Sequence, residues 1–165
     1  MPGGCDLGRI WKFGNHVNTD LIIAGRYLDD YSVESLAEHA MEDLDPSFSS
    51  RVGEGDVIVA GRNFGCGSSR EQAPLVLRHK GIRAVFALSM ARIFYRNAIN
   101  IGLPVVVHPD PPRMLEDGEE VTVDLEGGTV SRSDGTVIRF DPLPDHLLEI
   151  LSHGGLVPYL RSRLG

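Results

Sequence analysis

Three short apolar runs, separated by segments with helical spacing, organise the middle of the chain. The runs are DVIVAG, IRAVFALS and LPVVVH, at residues 56–61, 82–89 and 103–108. Each is rich in β-branched or apolar residues over four to eight positions, which is typical of a buried strand. The segments between them, LVLRHKG and MARIFYRNAINIG, predict helices that end at Gly81 and Gly102. This alternating order predicts parallel βαβ units.

The C-terminal part has a different pattern. Residues 119–140, EEVTVDLEGGTVSRSDGTVIRF, alternate apolar and polar positions, and Gly127-Gly128 and Asp134-Gly135 are two-residue hairpin signals. We therefore predict a three-stranded antiparallel meander, followed by a helix within 144–155. The segment HPDPPRML (108–115) is the clearest candidate for a hinge between the two halves.

The N-terminal part predicts a strand at GRIWKFG (8–14), a polar turn at NHVNTD (15–20) and an apolar segment at 21–28. Ser32 is a candidate N-cap for a helix over 33–44. Apolar residues at helical spacing predict the buried faces of two helices. They are Val33, Leu36, Ala37, Ala40 and Met41 in the first helix, and Ile93, Phe94, Ala98 and Ile101 in the helix at 90–102. The fold class is mixed α/β, with helices flanking parallel and antiparallel strands.

Length and composition describe an ordinary globular protein. The 165 residues predict one domain, 1–165, with 42% hydrophobic residues and a formal charge of −7. An acidic chain is a poor partner for nucleic acid, and no apolar run approaches the length of a membrane span. No signal peptide is evident, and with only Cys5 and Cys66 we expect a reducing cytoplasm and no disulfide framework.

The stretch NFGCGSSREQAP (63–74) carries the candidate chemistry, because it follows a predicted strand and precedes a helix. Ser68 with Glu71, or Ser69 with Gln72, fits a helix capping box. Capping does not account for the Gly-x-Gly and Arg70 as well. An anion site does, since backbone N–H groups at a helix start and an arginine fork both suit a carboxylate. A serine there would act as a base only if those donors stabilised its alkoxide.

Other loop chemistries fit the residues less well. A phosphate-binding P-loop requires a lysine where Ser68 stands, and the Gly-x-Ser-x-Gly elbow of hydrolases is not present. A cysteine nucleophile at Cys66 would match a protease segment only in part, because Ser69 and Arg70 replace the next cysteine and aromatic residue. The six histidines show no pair at metal-ligand spacing.

GRNFGCGSSREQAP together with ARIFYRNAINIGLPV resembles the small subunits of 3-isopropylmalate dehydratase, the swivel-domain half of the aconitase superfamily. IWKFGNHVNTDLIIAGRYL near the start and GGLVPYLRSRL near the end are similar to the same family. The resemblance extends over roughly residues 8–164. It implies a swivelling-domain fold and a hydro-lyase of leucine biosynthesis, which isomerises 2- and 3-isopropylmalate through isopropylmaleate.

The resemblance also implies the site residues and partners. Ser68 and Asp20 would be catalytic, with Ser68 as the base, and Ser69, Arg70 and Thr19 would bind a dicarboxylate substrate. The chain would bind no metal itself, and a large subunit would carry a [4Fe–4S] cluster. Two cysteines are too few for such a cluster. Exposure of the partner-binding face would also let the isolated chain self-associate.

In this family the loop around Tyr27 and Leu28 helps to select the substrate, and tricarboxylate users tend to carry an arginine after the leucine. Here the loop is Arg26, Tyr27, Leu28, Asp29 and Asp30. Acids would repel an additional carboxylate, so we expect 3-isopropylmalate rather than a homoaconitase substrate.

The same residues also fit other assignments. The chain would otherwise be the small subunit of homoaconitase or of a citramalate- or dimethylmalate-type hydro-lyase. A further alternative is a non-catalytic anion-binding module of the same fold.

Overall fold

A computed structural model describes residues 7–29, 32–110 and 114–165 of the chain. Its centre is one seven-stranded mixed sheet in the order β4-β3-β2-β1-β5-β6-β7. The strands are β1 Gly8–Lys12, β2 Val57–Ala60, β3 Ala84–Ala87, β4 Val105–Val107, β5 Glu120–Asp124, β6 Thr129–Arg132 and β7 Val137–Arg139. The mixed α/β prediction is therefore confirmed.

Helices cover the sheet and connect its parallel strands. They are α1 Thr19–Ile22, α2 Val33–Ala37, α3 Phe48–Arg51, α4 Gln72–His79, α5 Arg92–Asn100, α6 Asp145–Ser152 and α7 Leu156–Leu164, with a 3-10 turn at Gly25–Tyr27. Gly81 and Gly102 follow α4 and α5 with φ of +89° and +87°. These left-handed residues end the two helices, as predicted.

Strands β1 to β4 run parallel, and their apolar residues face both sides of the sheet. Every residue of β2 and β3 is buried, because the two faces of the sheet lie under two separate apolar clusters. This explains why these strands have continuous rather than alternating hydrophobicity. Parallel strands place their C-terminal ends at one edge, so the loops after β1 and β2 are brought together there.

Strand β1 joins the two halves of the sheet. It pairs in parallel with β2, where Ile10 lies opposite Val57, and antiparallel with β5, where Gly8 lies opposite Val121. Buried Asp56 fixes the same end of β1, since its carboxylate accepts hydrogen bonds from Arg9 N at 2.9 Å and Trp11 Nε1 at 2.8 Å.

The segment at 108–115 was predicted to be a hinge, but the halves that it connects belong to one continuous sheet. His108, which is 7% exposed, also links them, with its Nε2 3.1 Å from the carbonyl oxygen of Arg139. Residues 111–113 of this segment lie outside the described chain.

The antiparallel meander over β5, β6 and β7 is confirmed. Its connections are longer than the two-residue hairpins predicted, because four residues separate β5 from β6 and β6 from β7. Gly128 and Gly135 still supply the left-handed residues of these turns, with φ of +68° and +91°.

Two helix predictions are corrected. Ser32 caps α2 as expected, with its side chain accepting from Ser35 N, but α2 ends at Ala37 rather than at residue 44. The chain continues in tight turns, so that Met41 adopts φ +59° and its N–H donates to Ile22 O. In α5, Phe94 and Ala98 are buried as predicted, whereas Ile93 is 52% exposed and Ile99 is buried instead.

Candidate active site

The loops that follow β1 and β2 lie against each other at the C-terminal edge of the parallel strands. Four backbone hydrogen bonds join residues 14–19 to residues 61–66. They are Gly61 N to Gly14 O at 3.1 Å, His16 N to Arg62 O at 2.7 Å, Gly65 N to Val17 O at 2.7 Å, and Thr19 N to Cys66 O at 2.8 Å. The two sequence motifs, NTD and GCGSSRE, therefore form one surface.

Gly65 allows the second loop to pack closely on α5. Its φ is +80°, and a Cβ added there would lie 2.2 Å from Cγ of Phe94. Gly67 has φ +94°, but a Cβ there would be no closer than 3.5 Å to its neighbours. Gly65 is thus required by both conformation and space, and Gly67 mainly by conformation.

Thr19 holds the backbone of Ser68. Its side chain is buried at 3% exposure, and Oγ1 donates to the carbonyl oxygen of Ser68 at 2.9 Å. The side chains of Ser68 and Ser69 lie on the exposed surface of the loop. The sequence predicted a substrate contact for Thr19, which stays a prediction. The observed contact gives it a role in positioning the serine loop.

Neither serine caps α4, so the capping-box interpretation is wrong. The helix begins at Gln72, and its N-cap residue, Glu71, makes no side-chain cap hydrogen bond. Within the described part of the chain, the backbone N–H groups of residues 67–71 have no hydrogen-bond partner. A row of unpaired donors before a helix attracts an anion, because the helix dipole adds to their partial positive charge.

Arg70 and Asp20 form an ion pair beside the serines. Arg70 Nη1 lies 2.9 Å from Asp20 Oδ1 and 3.1 Å from the carbonyl oxygen of Ile23. The Arg70 side chain is 20% exposed, against 60% for Asp20. Toward the other described residues, Nε and Nη2 of Arg70 make no hydrogen bond, which leaves them available to a carboxylate.

The Asp20 carboxylate also accepts a hydrogen bond from Gly25 N at 2.9 Å. The hydrogen bond from Arg70 is the main reason that the pKa of Asp20 lies below its ordinary value, with the Gly25 N–H as the second cause. Asp20 is therefore ionised at neutral pH and holds the Arg70 guanidinium in place.

The NTD segment also corrects the expectation of a simple polar turn. Asn18 is the N-cap of α1, with its side chain accepting from Leu21 N at 2.9 Å. The Asp20 carboxylate accepts from Gly25 N and from Arg70 Nη1 instead. Asn18 and Gly25 help to position the site, and the sequence did not predict these roles. The Gly25 contact with Asp20 and the position of α1 depend on the tertiary fold.

The predicted specificity loop forms a 3-10 turn at Gly25–Tyr27 beside this ion pair. Tyr27 donates from its hydroxyl to Glu42 Oε2 at 2.7 Å and stacks on His39, with 3.7 Å between ring centroids. Leu28 is half-buried and Asp29 is exposed. Asp30 lies outside the described residues.

Arg26 belongs to the same turn and makes two ion pairs. Its Nη2 lies 2.9 Å from Asp43 Oδ1 and 3.4 Å from Glu42 Oε2, and its Cζ is 4.7 Å from the centre of the Tyr27 ring. The hydrogen bond to Asp43 is the main cause that raises the pKa of Arg26 above its ordinary value. Arg26 is thus a cation already paired with two carboxylates.

No cluster of three or more metal-ligating side chains occurs in residues 7–29, 32–110 and 114–165. Cys66 is half-exposed, and its carbonyl oxygen holds Thr19 N. An iron–sulfur cluster requires several thiolate ligands, and Cys66 is the only cysteine among the described residues. None of the helices in the same ranges combines the length and apolarity that crossing a bilayer requires.

Comparison with known proteins identifies the family. Residues 15–110, which contain both loops of the site, match the Aconitase C-terminal domain. The chain belongs to this family. A crystal structure of 3-isopropylmalate dehydratase from Methanocaldococcus jannaschii superimposes with a TM-score of 0.89 at 46% identity, and the match covers 96% of this chain and 94% of that one. The resemblance inferred from the motifs is confirmed.

Related small subunits carry different substrate names. The methanogen homoaconitase small subunit of Methanothermobacter thermautotrophicus is 54% identical over 161 residues, covering 96% of this chain and 93% of the relative. The 3-isopropylmalate dehydratase small subunit 1 of Methanopyrus kandleri is 53% identical over 155 residues, covering 93% and 91%. The chain is therefore an aconitase-family small subunit of the isopropylmalate dehydratase and homoaconitase type, and overall identity does not choose between these substrates.

Proposed function

We propose that this chain is the small subunit of 3-isopropylmalate dehydratase and acts as a hydro-lyase only with its large subunit. The observation that carries this proposal is the arrangement of the serine loop. Exposed Ser68 lies in a row of unpaired N–H groups, next to an arginine that is oriented by Asp20 and has donors to spare. A binding module would need the donors but not the Ser68 hydroxyl in the same loop.

The proposed reaction removes water across two adjacent carbons of a dicarboxylate. The Ser68 alkoxide takes the proton from one carbon, the C–H electrons form the double bond, and the hydroxyl leaves the other carbon with its bonding pair. Readdition of water with the opposite regiochemistry gives the isomer. An unaided serine is a poor base, so the unpaired amides of residues 67–71 would lower the pKa of the hydroxyl by stabilising the alkoxide.

Arg70 and Ser69 are proposed to bind a substrate carboxylate. The planar guanidinium offers Nε and Nη2 as a fork toward one carboxylate, and a fixed fork holds its partner in one orientation. Asp20 keeps Arg70 in that orientation through its own ion pair. We propose that Asp20 thereby supports catalysis through substrate alignment.

Exposure of the serine loop supports a requirement for the large subunit. Electrostatic stabilisation of an alkoxide is effective only where water is excluded, and this chain alone leaves Ser68 on its surface. The partner would cover the loop and bring the [4Fe–4S] cluster, which would polarise the leaving hydroxyl. The assembled enzyme would act in leucine biosynthesis in the cytoplasm.

The charges in the predicted specificity loop favour a substrate with an uncharged branch. Arg26 is neutralised by Asp43 and Glu42, and the neighbouring Asp29 is exposed. A third carboxylate would meet a net negative surface there, whereas an isopropyl group would not. This supports isopropylmaleate over cis-homoaconitate as the intermediate.

An anaerobic activity assay tests the proposal. The chain is mixed with a cluster-loaded large subunit from the same organism, and loss of isopropylmaleate, citraconate and cis-homoaconitate is followed. We expect fast isopropylmaleate hydration that requires both chains. In the same assay Ser68→Ala should lower kcat by about a hundredfold or more with little change in KM, whereas Ser162→Ala on the exposed face of α7 should have no effect.

Two outcomes would contradict it. Faster turnover of cis-homoaconitate than of isopropylmaleate would assign the chain to homoaconitase instead. An assembled pair that hydrates none of the three acids would indicate a non-catalytic anion-binding module.

A further inference from the structure

Two acidic residues outside the serine loop hold Arg26 by ion pairs. Asp43 and Glu42 lie in the turns after α2, and their carboxylates approach the Arg26 guanidinium to 2.9 Å and 3.4 Å. The Arg26 side chain is 56% exposed and the two acids are about one-third exposed. The cluster is therefore at the surface, where its members remain accessible to a ligand.

Asp43 is dedicated to Arg26. Its Oδ1 accepts from Nη2 at 2.9 Å and its Oδ2 from Nη1 at 3.5 Å, and its carboxylate makes no other hydrogen bond or ion pair with a described residue. Glu42 has a broader role, because it also accepts from the Tyr27 hydroxyl at 2.7 Å and contacts His39 Nδ1 at 3.1 Å. Neutralising Asp43 would therefore alter the state of Arg26 and little else.

The paired guanidinium belongs to a turn that touches the candidate active site. The residue before it, Gly25, donates its N–H to Asp20, and a Cβ built on Gly25 would lie 3.3 Å from Arg70 Nη2. The charge of Arg26 also contributes to the lowered pKa of Asp20. Arg26 is thus close enough to the Asp20–Arg70 pair for its charge to act there.

A guanidinium at this position can pair either with a carboxylate of the substrate or with the acidic residues of the protein. Left free, it would offer a planar fork to an additional carboxylate of a bound substrate. Paired with Asp43 and Glu42, it belongs to a cluster of one cation and two carboxylates with a net negative charge, and a substrate carboxylate would have to displace an existing ion pair. Asp43 and Glu42 therefore determine whether the turn presents a free guanidinium or a paired one to the substrate.

We propose that Asp43, assisted by Glu42, is a specificity-determining residue that withholds the Arg26 guanidinium from the substrate and so disfavours tricarboxylate substrates. This inference rests on the proposed function. It assigns selectivity to two residues that follow Arg26 by 16 and 17 positions in the chain, where they contact the cation and not the substrate.

Substrate selectivity of the reconstituted two-subunit enzyme tests this role. The quantity measured is kcat/KM for cis-homoaconitate divided by kcat/KM for isopropylmaleate. Asp43→Asn should raise this ratio about fivefold, the scale of one exposed ion pair, and Asp43→Ala, which removes the acceptor entirely, should raise it at least as much. Glu42→Gln should shift the ratio in the same direction and carries the test if the Asp43 variants do not assemble.

Two controls separate release of Arg26 from a general change of charge. Glu38→Gln removes one negative charge from an exposed residue of the same segment and should leave the ratio unchanged. Adding Arg26→Gln to Asp43→Asn should return the ratio to the wild-type value, because the released cation is then gone. Both variants are first checked for assembly with the large subunit.

The inference is overturned if the Asp43 variants assemble and remain active with an unchanged ratio. It is also overturned if Glu38→Gln raises the ratio equally or if the gain survives removal of Arg26. Should the assembled wild type hydrate neither acid, the proposed function fails and this inference fails with it. A wild type active on isopropylmaleate with an insensitive ratio refutes the inference alone.

Discussion

The ion pair between Asp20 and Arg70 joins two motifs that are 50 residues apart in the chain. The hydrogen bond from Arg70, followed by that from Gly25 N, lowers the pKa of Asp20 from its ordinary value of 3.8. Because the pKa of Asp20 is lower in the folded state, the ion pair stabilises the protein fully at any pH above the pKa of Asp20 in the unfolded chain. This stabilisation is lost as the pH falls through the pKa of Asp20 in the folded protein.

Replacing Arg70 should therefore release Asp20. In Arg70→Gln we expect the pKa of Asp20 to rise toward 3.8 without reaching it, because Gly25 N still donates. The measurement is a carboxyl-detected NMR titration below about pH 5. The stability difference between wild type and variant should shrink over the same acidic interval.

Asp134 supplies an internal control for that titration. Its pKa is also lowered, but by hydrogen bonds from Thr136 in the turn between β6 and β7. It should titrate identically in both proteins. An Asp20 pKa that is unchanged in Arg70→Gln would mean that the ion pair is not formed in solution.

At the scale of elements, the packing of the serine loop on α5 depends on one missing side chain. A Cβ on Gly65 would overlap the Phe94 ring, which also makes a T-shaped contact with Phe64 at 5.2 Å between centroids. The loop would have to move away from the helix to accommodate it. Because Ser68 follows three residues later, that movement would also displace the proposed base.

Gly65→Ala and Gly118→Ala form a matched pair of variants. Both glycines have a left-handed φ, +80° and +82°, but a Cβ on Gly118 meets nothing within 4 Å. We expect Gly118→Ala to cost about 1 kcal/mol in unfolding free energy, from conformation alone. Gly65→Ala should cost about 1–3 kcal/mol more, from overpacking.

Denaturant unfolding of the isolated chain measures both costs. Reconstituted activity should fall for Gly65→Ala and be retained for Gly118→Ala. Equal destabilisation by the two variants would show that the loop accommodates a methyl group and that its contact with α5 is not restrictive.

The sequence predicted strands correctly where the number of covered faces alone sets the hydrophobic pattern. The parallel strands have continuous apolar runs because both of their faces are covered, and the meander alternates because one of its faces is not. Predictions were wrong where tertiary contacts decide. Met41 turns out of the helical pattern to bond Ile22, and α5 buries Phe94 against the loop, which leaves Ile93 exposed.

The site was predictable only in part for the same reason. The serine loop indicated an anion site with Ser68 and Arg70, and the family resemblance added Asp20, but no local pattern shows that Arg70 pairs with Asp20 or that Arg26 pairs with Asp43. Both ion pairs are made between segments that the fold brings together. The charge that the predicted specificity loop presents therefore cannot be read from the residues of that loop alone.

At the scale of the whole molecule, the exposed serine loop predicts a change on assembly. The amides of residues 67–71 lack hydrogen-bond partners in the described chain and lie near solvent, so they should exchange hydrogen rapidly in the isolated subunit. Covering by the large subunit should slow their exchange about tenfold or more.

Hydrogen exchange followed by mass spectrometry, with and without the large subunit, makes this measurement. Peptides containing the turn at 133–136 serve as the internal reference and should exchange alike in both states. Unchanged exchange of residues 67–71 in a demonstrably assembled pair would contradict coverage of this loop by the partner.

The central position of β1 has a consequence for how the chain is made. It precedes all other described strands, yet its two neighbours are β2, which begins at Val57, and β5, which begins at Glu120. During synthesis, more than a hundred residues must therefore be added after β1 before both of its edges can be paired. Until β5 leaves the ribosome, one edge of the strand exposes unpaired backbone groups, which are a template for intermolecular pairing. A message truncated before β5 would therefore yield an aggregation-prone product, even though both loops of the active site had already been translated.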